Sequence, residues 1–394
     1  MRTCIATGRY FWRGETFINR HIERLFRGNT VVVCQLLQEE NPYNKKVFAM
    51  RGNHLSVKDR IVAPGALLAN RLRHGSGRQP FGSTRRDLIA FLRDQQVDII
   101  LAEFGTQALT LAPLANEMGL PIFSYFRGYD ASKALRHTRK QEAYRRMMSR
   151  LAGVFSVSQF LLDNLARHGI RHPNAHVIPS GVDVGYFRPA EKRPLSCLAV
   201  GRFVEKKAPQ ITLRAFAEAA VDQPDARLDF VGDGPLLQAC RALAAELGVA
   251  GRVTFHGSQP HEFVREKLAT AQFFLQHSIT AEDGNTEGLP TAIQEAMAAG
   301  CVVVSTRHAG IPEAVEEGST GFLVDEHDQA GFAQAVRGAL TRDDAAAMAV
   351  RAREVATARF DNEILLKRLE AEIMRSVGYS AQTIASYRSE RGAP

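Results

Sequence analysis

Two glutamates, Glu287 and Glu295, stand eight positions apart in the stretch TAEDGNTEGLPTAIQEAMAAG, residues 280–300. The first precedes a Gly-Leu-Pro turn and the second lies inside an Ala-rich helical run. Proline is tolerated in the first turn of a helix, where its missing N–H is not needed, so Pro290 predicts a helix start. The backbone of Gly288, Leu289 and Pro290, with the residues after it, then presents free N–H groups and the positive end of the helix dipole. That is an anion site, most naturally for phosphate. Glu295 lies about five residues further on, roughly 7.5 Å along the axis at 1.5 Å per residue. One carboxylate can reach a group on one side of the phosphate and the other a group on its far side. A nucleoside diphosphate sugar has that shape: sugar hydroxyls, pyrophosphate, ribose hydroxyls. The plainer reading makes Glu287 a turn residue and Glu295 a solvated helix position.

Two further clusters suit the same ligand. In AVGRFVEKKAP, residues 199–209, Arg202 and Lys207 follow a strand at its carboxyl end, where open α/β sheets bind ligands. Both can neutralise a diphosphate leaving group, and Lys206 reads as a solvated neighbour. No D-x-D occurs in the chain, so a carboxylate-held metal is not evident and neither metal nor cofactor is expected. In FVGDGP, residues 230–235, Gly232 and Gly234 sit between a strand and a helix, where glycine admits close backbone contact with a phosphate. The pattern is not G-x-G-x-x-G, and a tight strand–helix turn explains it equally well.

Short β-rich runs alternate with helical patterns along the whole chain, the signature of parallel sheets flanked by helices. TVVVCQL, VDIILAEF, LPIFSYF and GVFSVS read as strands of a first unit, with helices over 83–95 and 159–168 and Ser158 placed to cap the latter. The run 132–149 reads as one basic helix facing solvent or a negative surface. The Pro-, Gly- and Asp-rich stretch 172–194 reads as a boundary. After it LSCLAVGRF, RLDFVGDGP, VTFHG, ATAQFFLQHS and CVVVSTRH restart the alternation. The expected domains are therefore 1–190 and 191–378 with a tail at 379–394, and the helical stretch 362–374 is expected to cross back over either domain.

The chain has 394 residues, 45% of them hydrophobic, with five scattered cysteines and no C-x-x-C pair. Two domains in a reducing, cytoplasmic setting are expected, without disulfides or zinc. The N-terminus lacks an apolar core of the kind a secretion signal needs. The net charge of +8 is uneven. Residues 1–190 hold 28 Lys and Arg against 14 Asp and Glu, a net of +14, which leaves −6 for the rest. A basic first half suits phosphorylated ligands or an anionic membrane surface. Nucleic acid is not expected, for want of an aromatic-interleaved strand, a basic recognition helix or zinc-finger spacing.

Together the segments GRFVEKKAP, VGDGP, TEGLPTAIQEAMAAGCVVVSTRHAGIPEAV and GFLV resemble, in order and spacing, the group 1 glycosyltransferases of family four. GETFINRHI is similar to the opening of exopolysaccharide-building members, and SVSQFLLDNL and VIPSGVDVGYFRP to further family segments. The resemblance implies a GT-B fold, two Rossmann-like domains facing across a cleft, and a metal-independent, retaining transfer from a nucleotide sugar. It implies that Glu287 meets the donor sugar, Glu295 the ribose, Arg202 and Lys207 the diphosphate, and Gly14, Glu15 and Thr16 the acceptor. The family's usual His-Gly-Tyr-Asp is replaced here by Arg127, Gly128, Tyr129 and Asp130. Arg127 cannot accept a hydrogen bond but can pair with a donor's phosphate or a sugar carboxylate. Ala208 stands where members commonly have glycine. The expected acceptor is a saccharide, lipid-linked, met at the inner face of the cytoplasmic membrane. The alternatives are a sugar-nucleotide epimerase on the same fold and a basic scaffold that binds membrane or nucleic acid.

Overall fold

The structure is a computed structural model that describes residues 1–12, 14–37, 41–51 and 57–390. The chain forms two compact units, one of Met1–Ile178 with Leu366–Pro394, the other of Pro179–Leu365.

In the first unit, β1 (Thr3–Arg9), β2 (Thr30–Leu36), β3 (Val47–Ala49), β4 (Ile99–Glu103), β5 (Ile122–Phe126), β6 (Gly153–Ser156) and β7 (Ala175–Val177) form one sheet. Their order is β3-β2-β1-β4-β5-β6-β7, and every neighbouring pair is parallel. Helices cover both faces of such a sheet, so its strands are apolar throughout instead of alternating. All five residues of β4 and of β5 are buried. Strand order reverses between β1 and β4, and open parallel sheets place their ligand crevice at the carboxyl ends of the strands flanking such a reversal.

The second unit repeats the plan with β8 (Arg193–Val200), β9 (Arg227–Val231), β10 (Val253–Phe255), β11 (Ala271–Leu275), β12 (Val302–Thr306) and β13 (Gly321–Val324). The order β10-β9-β8-β11-β12-β13 reverses between β8 and β11. Period-two geometry divides the core of this unit in two. Cys197, Ala199, Phe273, Leu275, Val302 and Val304 face one hydrophobic cluster, and Leu198, Phe274 and Val303 the other. This is the fold of GT-B enzymes: two Rossmann-like α/β units.

The units divide elsewhere than at 190. The short strand β7 occupies the stretch that reads as a linker, and the Ile178 N–H still donates to the Ser156 carbonyl at 2.8 Å. A three-residue strand is too short to show a period. At the far end the helix Asn362–Ser376 contains the second division, and residues from Leu366 onward belong to the first unit. Glu370 accepts the Phe26 N–H at 2.6 Å, Ser376 accepts from the Asn174 amide at 2.8 Å, and Tyr387 lies 6.1 Å from the Phe26 ring.

Two local expectations are corrected. Ser158 occupies the N-cap position of helix Gln159–Arg167, but its hydroxyl makes no cap bond and is buried without a partner among the described residues. The run 132–149 is broken into a 3-10 turn, Lys133–Arg136, and the helix Thr138–Met148.

Gly232 and Gly234 serve the packing of one loop on another. A Cβ on Gly232 would stand 1.9 Å from the Gly201 carbonyl oxygen, and one on Gly234 would stand 2.6 Å from that of Phe203. Both have positive φ, 141° and 152°. The loop after β9 is thereby pressed onto the loop after β8, with the Phe203 N–H donating to the Asp233 carbonyl at 2.9 Å. Gly232→Ala is expected to cost at least about 2 kcal/mol, or roughly 4–8 °C of melting temperature for a unit of this size. Gly251→Ala, with open space around the new methyl, should melt as the parent does. Thermal unfolding followed by circular dichroism compares the two.

Candidate functional site

The β8/β11 reversal gathers the charged residues of the second unit. The chain leaves β8 through Gly201 and Arg202, then a 3-10 turn, Glu205–Lys207, brings Lys207 back over the strand end. Ala208 follows at φ 36°, ψ 53°, a left-handed conformation that favours glycine, and opens the helix Pro209–Ala219. Lys207 Nζ donates to Gln276 Oε1, just past β11, at 3.1 Å and lies 3.4 Å from Glu287 Oε1. Lys206 Nζ lies at the same distance from Glu287 Oε1 and donates to the Thr286 carbonyl at 3.1 Å. Lys206 is therefore a partner of Glu287 and not a solvated neighbour.

Glu287 is 7% exposed. Burial pushes its carboxyl pKa up, but Lys207 and then Lys206 more than reverse this and hold it at about 2. Burial lowers the pKa of Lys207, and Glu287 opposes that. The two ion pairs are too poorly directed to be hydrogen bonds, so Oε1 accepts none among the described residues. Its charge is balanced by two ammonium groups, while Oε1 lacks a hydrogen-bond donor among the described residues.

The backbone of Glu287 is fixed separately. Its N–H donates to His308 Nε2 at 3.0 Å. With Nε2 accepting, Nδ1 carries the ring proton and donates to Glu326 Oε1 at 2.7 Å. The other oxygen of Glu326 accepts the Thr280 N–H at 2.6 Å. One carboxylate thus ties down both ends of the loop 280–287. Burial raises the Glu326 pKa, but the His308 and Thr280 hydrogen bonds bring it to about 2.

The helix predicted beyond Glu287 is Thr291–Ala298, with Pro290 at its N-cap, one position earlier than expected. Leu289 is buried in the core, and the Gly288 carbonyl accepts the Gly310 N–H at 2.8 Å, so the turn is anchored from both sides. The N–H groups of Gly288, Leu289, Thr291, Ala292 and Ile293 have no hydrogen-bond partner among the described residues. Unpaired N–H groups at a helix start are the kind of donor that binds phosphate. Glu295, 8% exposed, is no solvated helix residue either: Oε1 stands 3.1 Å from His261 Nε2, and Tyr186 stacks on that imidazole at 5.8 Å. Arg202 is exposed and its guanidinium has no partner among the described residues. Glu287, Lys206 and Lys207 therefore meet beside the end of β11, Arg202 lies on the loop that carries the lysines, the 288–290 turn follows Glu287 directly, and Gly232 and Gly234 pack against the loop after β8. Among the described residues, no group of three or more His, Cys, Asp or Glu converges as a metal site.

In the first unit the β1/β4 reversal carries a second cluster. Glu103 closes β4 with no exposure at all; its Oε2 accepts from Arg127 Nε at 2.9 Å and Nη2 at 2.6 Å, and its Oε1 accepts from His21 Nδ1 at 2.6 Å. Arg127 lies over the rings of Phe17 and Tyr125 at 4.1 and 4.0 Å. This buried pair makes Arg127 a fixed positive charge beside the end of β4. Glu15, at the N-cap of helix Thr16–Arg24, lies within electrostatic reach of Arg127 and Glu103. Burial raises its pKa, Arg127 lowers it and Glu103 raises it further. Gly14 and Thr16 flank it, and Arg127 belongs with this group. Phe104, between β4 and the helix Gly105–Glu117, has φ 76°, a strained backbone for an aromatic residue and one that concentrates at functional sites.

Residues 188–355 match the family model of the glycosyl transferases group 1, and residues 27–186 that of Glycosyltransferase Family 4. The putative colanic acid biosynthesis glycosyltransferase WcaL of Escherichia coli is 32% identical over 306 residues, 73% of this chain and 75% of its own. The chain belongs to the group 1 glycosyltransferases of family 4. The amylovoran biosynthesis glycosyltransferase AmsK of Erwinia amylovora is 30% identical over 70% of both chains. In structure, Anabaena Alr3699/HepE, crystallised with UDP and glucose, superposes with a TM-score of 0.77 over 95% of this chain and all of its own, at 17% identity, a likeness of fold alone.

In this glycosyltransferase the residues that sequence reasoning missed are Gln276, His308 and Glu326. His308 stands within a family-like segment, so the signal was a histidine beside a Gly-Ile-Pro turn; Glu326 offered none. His308→Ala frees the Glu287 backbone, and misplacement of a catalytic group by about 1 Å can cost on the order of a hundredfold in rate. A fall in kcat of at least about tenfold is expected for His308→Ala and for Glu326→Ala, with a smaller effect for Glu326→Gln, whose single carbonyl oxygen keeps one of the two hydrogen bonds. Steady-state sugar transfer measures this. Both carboxylates titrate below their ordinary 4.5 when folded. The stability they contribute is complete above that pH and is lost as pH falls towards about 2. Glu287→Gln should flatten this acid limb in melting temperature against pH.

Proposed function

We propose that the chain is a retaining, metal-independent hexosyltransferase. Its donor is a nucleoside diphosphate sugar and its acceptor a saccharide, lipid-linked, in the assembly of an exopolysaccharide. The colanic acid and amylovoran enzymes among its relatives support that setting, and the UDP complexes of its structural neighbour support the donor class. The observation that carries the reading is Glu287: a buried, ionised carboxylate against two lysines, followed in the chain by a row of unpaired N–H groups.

In this mechanism the diphosphate lies over the start of helix Thr291–Ala298. As the sugar–oxygen bond breaks, negative charge grows on the diphosphate, and Arg202, Lys207 and the Gly288–Ile293 N–H groups stabilise it. Glu287 accepts hydrogen bonds from the donor sugar, and Glu295 holds the ribose. Gly232 and Gly234 keep the loop bearing Arg202 in place. Gly14, Glu15 and Thr16 meet the acceptor, and Arg127 sets the charge beside Glu15. Lipid-linked acceptors place the work at the inner face of the cytoplasmic membrane. Among the described residues no helix is long and apolar enough to cross one.

Glu287→Ala and Lys207→Ala should each lower transfer by about 10²–10³-fold in kcat while the protein stays folded. Mass spectrometry with a panel of nucleotide sugars and a crude lipid extract identifies the donor, and NMR of the product should show the donor's anomeric configuration kept. Full activity in either variant would refute the assignments. Conversion of donor alone to an epimer would show the isomerase chemistry instead.

A further inference from the structure

The chain has one tryptophan, and it lies outside the core. Trp12 is 42% exposed, in the turn that leaves β1 at the carboxyl edge of the first sheet, on the strand that borders the β1/β4 reversal. Trp joins a large apolar face to a polar N–H, which suits it to anchoring a ligand more than to standing in water. Trp12 is also held still. The Arg9 guanidinium lies over its ring at 4.6 Å. A Cβ added to Gly14 would stand 3.4 Å from Nε1, so the turn folds its glycine against the indole edge. The Trp12 carbonyl accepts from the Glu15 N–H at 2.9 Å and from the Asn19 amide at 3.0 Å, which ties the turn to the helix Thr16–Arg24. A ring fixed in this way loses little freedom on meeting a ligand.

The polar groups of the same turn are unused. Trp12 Nε1, the Glu15 carboxylate and the Thr16 hydroxyl have no hydrogen-bond partner among the described residues. Glu15 occupies the N-cap position without capping the helix, so the local backbone does not account for a carboxylate there. Arg9 and Arg127 lie within electrostatic reach of it, and Glu15 and Thr16 are only half-buried. An indole bordered by an N–H donor, a carboxylate acceptor and a hydroxyl matches the two-sided chemistry of a pyranose. The C–H face of the sugar packs on the ring and leaves water, while its hydroxyls both donate and accept at the rim. A bilayer fits this turn less well, because Glu15 repels anionic phosphate.

We propose that Trp12 is the platform on which a hexopyranose of the acceptor stacks, with its Nε1–H, Glu15 and Thr16 holding the sugar's hydroxyls. This rests on the saccharide acceptor proposed above and names the side chain that selects a pyranose ring. Because Trp12 is the single tryptophan, its fluorescence reports on this turn alone. Full-length protein is titrated, without donor, with the methyl pyranosides of glucose, galactose, mannose and glucuronic acid, and with sorbitol, an acyclic polyol that has hydroxyls but no ring face. At least one pyranoside should shift or quench the emission along a saturating curve, and sorbitol should not. In transfer assays Trp12→Ala should raise the acceptor KM about tenfold, with kcat moving less, and Trp12→Phe should restore most of the loss. A merely structural role for the ring would not split KM from kcat in this way. The proposal fails if no pyranoside moves the emission, if sorbitol moves it equally, or if Trp12→Ala leaves the acceptor KM unchanged. It also fails if phospholipid vesicles shift the emission and the pyranosides do not, for Trp12 would then be a bilayer contact. Sugar binding without transfer would support the platform while counting against the transfer reaction; transfer with an unresponsive Trp12 would do the reverse.

Discussion

Everything in the second unit turns on keeping one buried carboxylate charged. Glu287 sits where water is nearly absent, and an isolated carboxylate there would take up a proton. Two consecutive lysines from the loop after β8 prevent it. Those lysines are in place because the glycines after β9 let two backbones touch, and because a 3-10 turn and a left-handed alanine aim the chain back over the sheet. The same cations lie beside the free N–H groups of the next helix. The arrangement that keeps Glu287 ionised therefore also gathers two ammonium groups within 3.4 Å of one carboxylate oxygen.

The first unit meets the same constraint with other residues. Its strand order also reverses beside the first strand, and a carboxylate, Glu103, again ends a strand in complete burial. Here the guanidinium of Arg127 and a histidine proton balance it. Burial raises the Glu103 pKa, but Arg127 and then His21 bring it below the ordinary range, while burial keeps the His21 pKa low despite Glu103. A planar guanidinium stacked between two rings cannot swing, whereas Lys206 and Lys207 are flexible. One unit holds a rigid charge and the other adaptable ones.

Much of this was legible in the residues. Strands of five or more, such as TVVVCQL or CVVVS, are apolar enough to announce themselves, and the helix start at Pro290 follows from proline chemistry one residue off. The spacing of Glu287 and Glu295 suggested a ligand, but only the packing shows both carboxylates to be buried and paired. Gly232 and Gly234 were legible as a close approach, and the fold shows the backbone of the loop after β8 making one. The pairing of His308 with Glu326 was beyond reach, since eighteen residues separate them and nothing local marks a contact made by the fold.

Because the first unit takes in both chain ends while the second is one continuous segment, Pro179–Leu365, the second is topologically an insertion. A ribosome therefore finishes the insertion before its host. Residues near Phe26 must wait for Glu370 and Tyr387, the last partners to emerge, so the part of the protein begun first is completed last.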